Sequence, residues 1–262
     1  MAVCKYPMSM AAPLLILFVT GLLLAMNLSG PGGLNGYGMN AGSYVWHPVM
    51  MCIAFLLLQP LGIILYSIDL GAAGNAALPS RASRRLLHAV LQASAAGLGL
   101  AGYVWAYLYH EAKGKDHLAL KRQSLARPIH VFLGLFAVFG SLLLACVGAV
   151  KLHYARSAGG PPPPKALALH GRLGPLVWVS ALLAIALAAV FEYQENLGVD
   201  EPSPKVQHWT LGQAALVCAA LLALAASVVG QLACGSREHL VEDAEAAAED
   251  KYSALRPNEL LE

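Results

Sequence analysis

The sequence of 262 residues is 58% hydrophobic and only 12% charged, about half the charged share of a typical soluble domain. This excess of apolar residues argues against a soluble enzyme, a disordered chain and a nucleic-acid-binding protein, and it predicts a membrane protein with short loops. The net charge of +2 carries little information, but eight of the 15 acidic residues follow Gly235, which predicts an acidic tail.

Six apolar runs are long enough to cross the hydrocarbon core of a bilayer, which takes about 20 helical residues. Backbone groups cannot stay unpaired in lipid, so these runs are predicted to be helices. In chain order they cover residues 11–28, 47–68, 86–109, 129–150, 168–191 and 210–233. A signal peptide is the alternative for the first run, with Lys5 as its basic segment, but the run is long for that and no clear cleavage site follows.

The chain divides into three parts on this reading: residues 1–43 with the first helix and an outer loop, residues 44–235 with the other five helices, and the acidic tail 236–262. If the N-terminus is placed in the cytosol, the cytosolic segments contain more Lys and Arg residues than the outer segments. Because basic residues are typically enriched on the cytosolic side of a membrane protein, this distribution predicts that both termini are cytosolic. The tail contains Tyr252-Ser-Ala-Leu255, a tyrosine motif of the kind that sorting adaptors bind, although a chance match is an open alternative.

Four of the nine histidines stand at the beginning of four successive runs. His47, His88, His130 and His170 are each predicted in the first turn of a helix, with spacings of 41, 42 and 40 residues. Because consecutive membrane helices run in opposite directions, His47 and His130 are predicted near the outer surface, and His88 and His170 near the cytosolic surface. Ionisable residues at membrane depth are costly and by default mark functional sites.

Two histidines on facing helices suit a b-type haem, whose iron takes one axial imidazole from each side. A zinc site would need four ligands together, which two separate pairs do not supply. Gly134 and Gly174 each lie four residues after a histidine, on the same helix face, where a missing side chain leaves room for a porphyrin. The pattern therefore predicts two haem b groups, and the alternative is that histidine is simply tolerated at helix ends.

The segments around these histidines resemble those of the cytochrome b561 family of transmembrane ascorbate-dependent oxidoreductases. The resemblance covers roughly residues 44–191 and is carried by Trp46-His47-Pro48-Val49, Leu87-His88, Ile129-His130 and Leu169-His170-Gly-Arg-Leu-Gly174. It implies that helices two to five form a four-helix bundle holding two b haems, within a core of residues 44–235, and that the protein is a homodimer. It also implies that cytosolic ascorbate is oxidised and that monodehydroascorbate or ferric iron is reduced on the other side.

Substrate-site candidates follow from charge and from the resemblance. Ascorbate is a monoanion at neutral pH, and basic residues near the cytosolic histidine pair would attract it. The candidates there are Arg81, Arg84, Arg85 and Arg172. The positive-inside distribution explains Arg84 and Arg85 equally well, and Arg172 alternatively pairs with a haem propionate. On the outer side, His110, placed in a loop, best matches a substrate-contacting histidine of the family.

These observations predict an enzyme that transfers electrons across a membrane, with the redox chemistry supplied by haem and no catalytic side chain of its own. We expect its membrane to be the plasma membrane or an endosomal, lysosomal or vacuolar membrane. The alternative function is a small multi-helix transporter that relays protons or metal ions through intramembrane histidines, and a third is a non-enzymatic membrane scaffold. The electron-transfer enzyme is expected to bind haem, whereas the transporter and the scaffold are not.

Overall fold

The computed structural model describes residues 8–29, 44, 46–65, 81–114, 125–156, 169–197, 210–230 and 232. These residues form helices and turns, without strands. All six helices are long and apolar enough to cross a membrane, which confirms the predicted all-α membrane fold. The helices are α1 (Met8–Ser29), α2 (Trp46–Ile64), α3 (Arg81–Ala112), α4 (Ala126–Arg156), α5 (Leu169–Leu197) and α6 (Leu211–Gly230). The acidic tail and its tyrosine motif lie outside the described residues.

Two of the four histidine-bearing helices begin at least three residues earlier than the sequence predicts. Helix α3 begins at Arg81 and α4 at Ala126, so His88 lies in the third turn and His130 in the second, not in the first. The apolar runs mark only the part of each helix that suits lipid. Arginine is a good helix former, and its long side chain can extend from the membrane into water, so the helical backbone continues past the apolar run.

Helix α2 contains a π-helical segment, Ile53–Leu58, between two α-helical parts. In this register the Gln59 N–H donates to the Ala54 carbonyl, five residues back. The next N–H in the same register would serve the Phe55 carbonyl, but residue 60 is proline and has none. The indole Nε1 of Trp178 on α5 donates to the Phe55 carbonyl instead, at 2.8 Å, and its side chain is fully buried.

The buried side chains form two clusters, which lie on different sides of α2. One cluster joins α2 to α3, α4 and α5 around Phe55, Val138 and Ala181. The other joins α2 and α5 to α1 and α6 around Leu56, Trp178 and Leu224. Helices α2 to α5 therefore share one core, and α1 and α6 pack against the opposite faces of α2 and α5. Many large apolar side chains point outward, for example Leu143 and Leu222, as expected for a surface in contact with lipid.

The ends of two helices are fixed by local chemistry. Helix α3 ends two residues before Gly114, whose positive φ of 59° is the left-handed conformation that commonly terminates helices. Helix α6 begins at a capping box, in which the Gln213 N–H donates to Thr210 Oγ1 and the Thr210 N–H donates to Gln213 Oε1. These ends set how far the two helices extend.

Candidate functional site

The first histidine pair consists of His47 on α2 and His130 on α4. His47 Nδ1 donates to the Gly102 carbonyl of α3 at 2.9 Å, and His130 Nδ1 donates to the Ala184 carbonyl of α5 at 2.7 Å. The two rings lie within electrostatic range of each other. Each histidine is thus half-buried between helices and fixed by a helix other than its own.

The second pair joins α3 and α5. The ring centroids of His88 and His170 lie 6.2 Å apart, with an angle of 75° between the ring planes. His88 Nδ1 donates to the Gly62 carbonyl of α2 at 2.8 Å. His170 Nδ1 is buried near the Leu144 carbonyl of α4, without a hydrogen bond of standard geometry among the described residues. The structure therefore groups the four histidines in the two pairs that the sequence predicts.

The hydrogen bonds of three histidines define their tautomer. A backbone carbonyl can only accept, so the Nδ1 atoms of His47, His88 and His130 carry the proton. In a neutral ring of this tautomer the Nε2 atom carries the lone pair, which is the form of histidine that binds a metal. Histidines that bind metals usually donate their other ring N–H to a carbonyl or carboxylate in this way.

The 6.2 Å separation of the second pair suits two imidazoles on one metal ion. A metal–imidazole nitrogen bond is about 2.0–2.1 Å long. The nitrogen lies roughly 1.1 Å from the centre of its ring, given ring bonds of about 1.33 Å. Two opposed imidazoles on one metal ion therefore have their centroids about 6.2–6.4 Å apart.

The predicted cradle glycines lie in open space. A Cβ atom built on Gly134 or Gly174 meets no heavy atom of another described residue within 4 Å, so the described residues do not fill the positions one turn from His130 and His170. At Gly148 the opposite holds, because a Cβ there would lie 3.2 Å from His170 Cε1. Gly148 thus lets the His170 ring approach the backbone of α4, while Gly134 and Gly174 leave volume for a flat group.

Within the described ranges, no three His, Cys, Asp or Glu side chains come together as a metal site. Two separate pairs of imidazoles fit a metal whose remaining ligands come from a macrocycle. This donor set fits haem, in which the porphyrin provides four nitrogens and the protein provides the axial ligands.

The basic candidates lie at the His88–His170 end of the bundle. Arg84 is one helical turn before His88, and its Nε is buried without a hydrogen-bond partner among the described residues. Arg85 is half-buried next to it, and Arg172 is exposed two residues after His170. Arg81 begins α3, but its side chain lies outside the described part. The sequence reasoning missed Lys151 on α4, which lies within electrostatic range of both His88 and His170.

The prediction that His110 lies in a loop is wrong, because it belongs to the last turn of α3. No helix-breaking residue follows until Gly114, so the helix includes Glu111 and Ala112. The His110 ring stacks on Tyr44, with centroids 5.6 Å apart and an interplanar angle of 13°. The Tyr44 ring is also 5.4 Å from that of His47. Tyr44 therefore connects His110 to the first histidine pair.

A buried polar group near the second pair was also missed by the sequence reasoning. Gln92 Nε2 on α3 donates to the Gln59 carbonyl of α2 at 3.0 Å. Gln59 is 2% exposed, and its own Nε2 donates to Ser141 Oγ on α4 at 3.2 Å. Gln59 Oε1 is buried without a partner among the described residues. A glutamine in an apolar run is the only sequence signal for this group.

Comparison with known proteins agrees with this arrangement. A search of curated proteins finds no match to the chain. The family model described as eukaryotic cytochrome b561 matches residues 46–191, which is more than half of the chain and includes both histidine pairs. That family consists of transmembrane oxidoreductases that bind b-type haem. The chain, whose described residues include six helices able to cross a membrane, therefore belongs to the eukaryotic cytochrome b561 family.

Proposed function

We propose that the protein carries electrons across its membrane by means of two haem b groups, one held by His47 and His130 and the other by His88 and His170. The single observation that best supports this is the 6.2 Å separation of the His88 and His170 rings, which suits one iron ion between them. When bound, the haem groups supply the one-electron redox chemistry. The protein supplies the ligands, their orientation and the apolar surroundings.

The protein would tune the two sites through the Nδ1 hydrogen bonds. A carbonyl that accepts from Nδ1–H fixes the ring and makes the imidazole a more basic ligand, which favours the ferric state. Among the described residues, His47 and His130 both make such a bond at the first site, whereas at the second His88 makes it and His170 has none of standard geometry. The two sites therefore differ in ligand basicity, and the haem of the first site is expected to have the lower potential.

We propose the His88–His170 end as the ascorbate side, facing the cytosol with both termini. Arg84 offers a buried guanidinium Nε one turn from His88, and Arg85, Arg172 and Lys151 add positive charge nearby. Such a basic surface attracts the ascorbate monoanion. Ascorbate would pass one electron to the haem held by His88 and His170 and release one proton to the aqueous phase, which leaves monodehydroascorbate. Arg81 belongs to the same proposal through its position at the beginning of α3.

At the other end, we propose that His110 contacts the electron acceptor, either monodehydroascorbate or a ferric chelate. His110 lies at the end of α3 and stacks on Tyr44, which in turn lies beside His47. An acceptor at His110 would therefore be separated from the first histidine pair by a single aromatic side chain. A homodimer in a plasma or endosomal, lysosomal or vacuolar membrane completes the proposal and is supported by the family alone.

Haem quantification and optical spectra of the purified protein test this proposal. We expect two b-type haems per chain, reduced by ascorbate. His88→Ala or His170→Ala should each remove one haem, and His47→Ala or His130→Ala should each remove the other. His153→Ala is the matched control, because His153 is an exposed histidine of α4 outside both pairs. The proposal is wrong if the protein from haem-replete cells binds no haem, or if the four variants retain the unsubstituted amount.

A further inference from the structure

We propose that Gln92 is a positioning residue for His88, and that it thereby sets the redox potential of the haem held by His88 and His170. Its side chain would hold the end of α2 at the height where the Gly62 carbonyl accepts the His88 Nδ1–H. This inference rests on the proposed function, since it requires His88 to be a haem ligand.

Gln92 and His88 form two neighbouring links between α3 and α2. They are four residues apart on α3 and therefore share one helix face. Their acceptors, the Gln59 and Gly62 carbonyls, lie three residues apart on α2. The two bonds of 3.0 and 2.8 Å thus connect the same pair of helix faces one turn apart, and the bond of Gln92 restricts the motion that would lengthen the bond of His88.

The backbone of α2 is shaped to receive the Gln92 amide. A Cβ atom on Gly62 would lie 2.5 Å from Gln92 Nε2, which is closer than real Cβ contacts allow. The amide of Gln92 therefore occupies the space left by the missing side chain of the residue whose carbonyl serves His88. A polar side chain on a membrane helix is costly unless it is paired. Its pairing with α2 at this point indicates a role in holding the two helices.

The Gly62 carbonyl is well suited to alter a ligand. It lies in the last turn of α2, where carbonyls lack partners within the helix and carry the negative end of the helix dipole. Such an acceptor polarises the Nδ1–H of His88 and makes the ring a more basic ligand, which favours ferric iron. Loosening this bond should therefore raise the potential of that haem. The acceptors of His47 and His130, Gly102 and Ala184, take no part in the Gln92 link.

Redox titration of the full-length haem-loaded protein tests the inference. Gln92→Met keeps the length of the side chain but removes the amide. We expect the equilibrium constant for reduction of the His88–His170 haem to rise about 2- to 10-fold, which is roughly 20–60 mV for one electron, from a weakened hydrogen bond. The other haem should titrate as before. Ser94→Met is the matched control, since Ser94 is an exposed polar residue two positions further along α3.

A second variant keeps the test decisive if Gln92→Met loses haem. Gly62→Ala should displace the Gln92 amide and shift the same haem in the same direction. Variants that lack one haem, such as His130→Ala, identify which potential belongs to which site. Unchanged potentials in both variants, or equal shifts of both haems, would overturn the inference. The absence of any bis-histidine haem spectrum in the unsubstituted protein would instead overturn the proposed function.

Discussion

Replacing Trp178 by phenylalanine tests whether the π-helical segment of α2 depends on a side chain of α5. The indole Nε1 donates to the Phe55 carbonyl at 2.8 Å, and both residues are almost completely buried. An interhelical hydrogen bond in a membrane protein contributes only about 0.6 kcal/mol on average, because the chain finds other partners when the bond is broken. The Phe55 carbonyl lacks this alternative within α2, since Pro60 has no N–H to offer.

A buried acceptor left unpaired costs about 1–3 kcal/mol. The smaller ring of phenylalanine adds roughly 1–2 kcal/mol for lost packing. We therefore expect Trp178→Phe to lower the free energy of unfolding by about 2–5 kcal/mol in the natural background. Pro60→Ala restores an N–H that can serve the Phe55 carbonyl, so in that background only the packing loss should remain.

The assay is reversible unfolding of the purified protein in mixed micelles, applied to the two single variants, the double variant and the unsubstituted protein. The loss of packing is common to both backgrounds and cancels in this double-mutant cycle. We expect a coupling energy of about 1–3 kcal/mol between positions 60 and 178, which is the cost of the unpaired acceptor. A coupling below about 0.5 kcal/mol, the usual limit of additivity, would refute the argument that proline leaves the carbonyl without a partner.

Three further predictions concern the two ends of the bundle. Gly134→Leu should leave the fold intact, since no described residue has a heavy atom within 4 Å of a Cβ atom at this position. If a porphyrin fills that space, the variant should bind less haem, as measured by the pyridine haemochrome assay. Arg84→Gln should raise the KM for ascorbate several-fold at low ionic strength, a difference that shrinks in high salt, whereas an unchanged KM would contradict the basic site. Tyr44→Ala should slow acceptor reduction but not haem reduction by ascorbate, as shown by stopped-flow spectroscopy on each half-reaction.

The sequence was sufficient to predict the helices and the histidine pairs because both depend on strong physical constraints. A run of about 20 apolar residues has few stable alternatives to a membrane helix, and an ionisable side chain in such a run is rare. The alternation of helix direction then assigns His47 and His130 to one end and His88 and His170 to the other. The 6.2 Å separation of the second pair supports the pairing deduced in this way.

The acceptors of the histidine N–H groups could not be predicted. They are backbone carbonyls, at Gly62, Gly102 and Ala184, and every residue has such a carbonyl whatever its side chain. The predicted helix boundaries were wrong for a related reason. Hydropathy indicates which part of a helix contacts lipid, but it does not indicate where the backbone hydrogen bonds of the helix end. His110 was therefore placed outside a helix that in fact continues to Ala112.

The π-helical segment of α2 also compensates for one extra residue between the histidine of this helix and the carbonyl that serves the other histidine pair. On α3 fourteen residues separate His88 from Gly102, and on α5 fourteen separate His170 from Ala184, a distance of about 21 Å in each helix. On α2 fifteen residues separate His47 from Gly62. A π-helical turn accommodates one extra residue within an otherwise α-helical rod. Without it, the added residue would rotate the end of α2 by about 100°, and the Gly62 carbonyl would face away from His88.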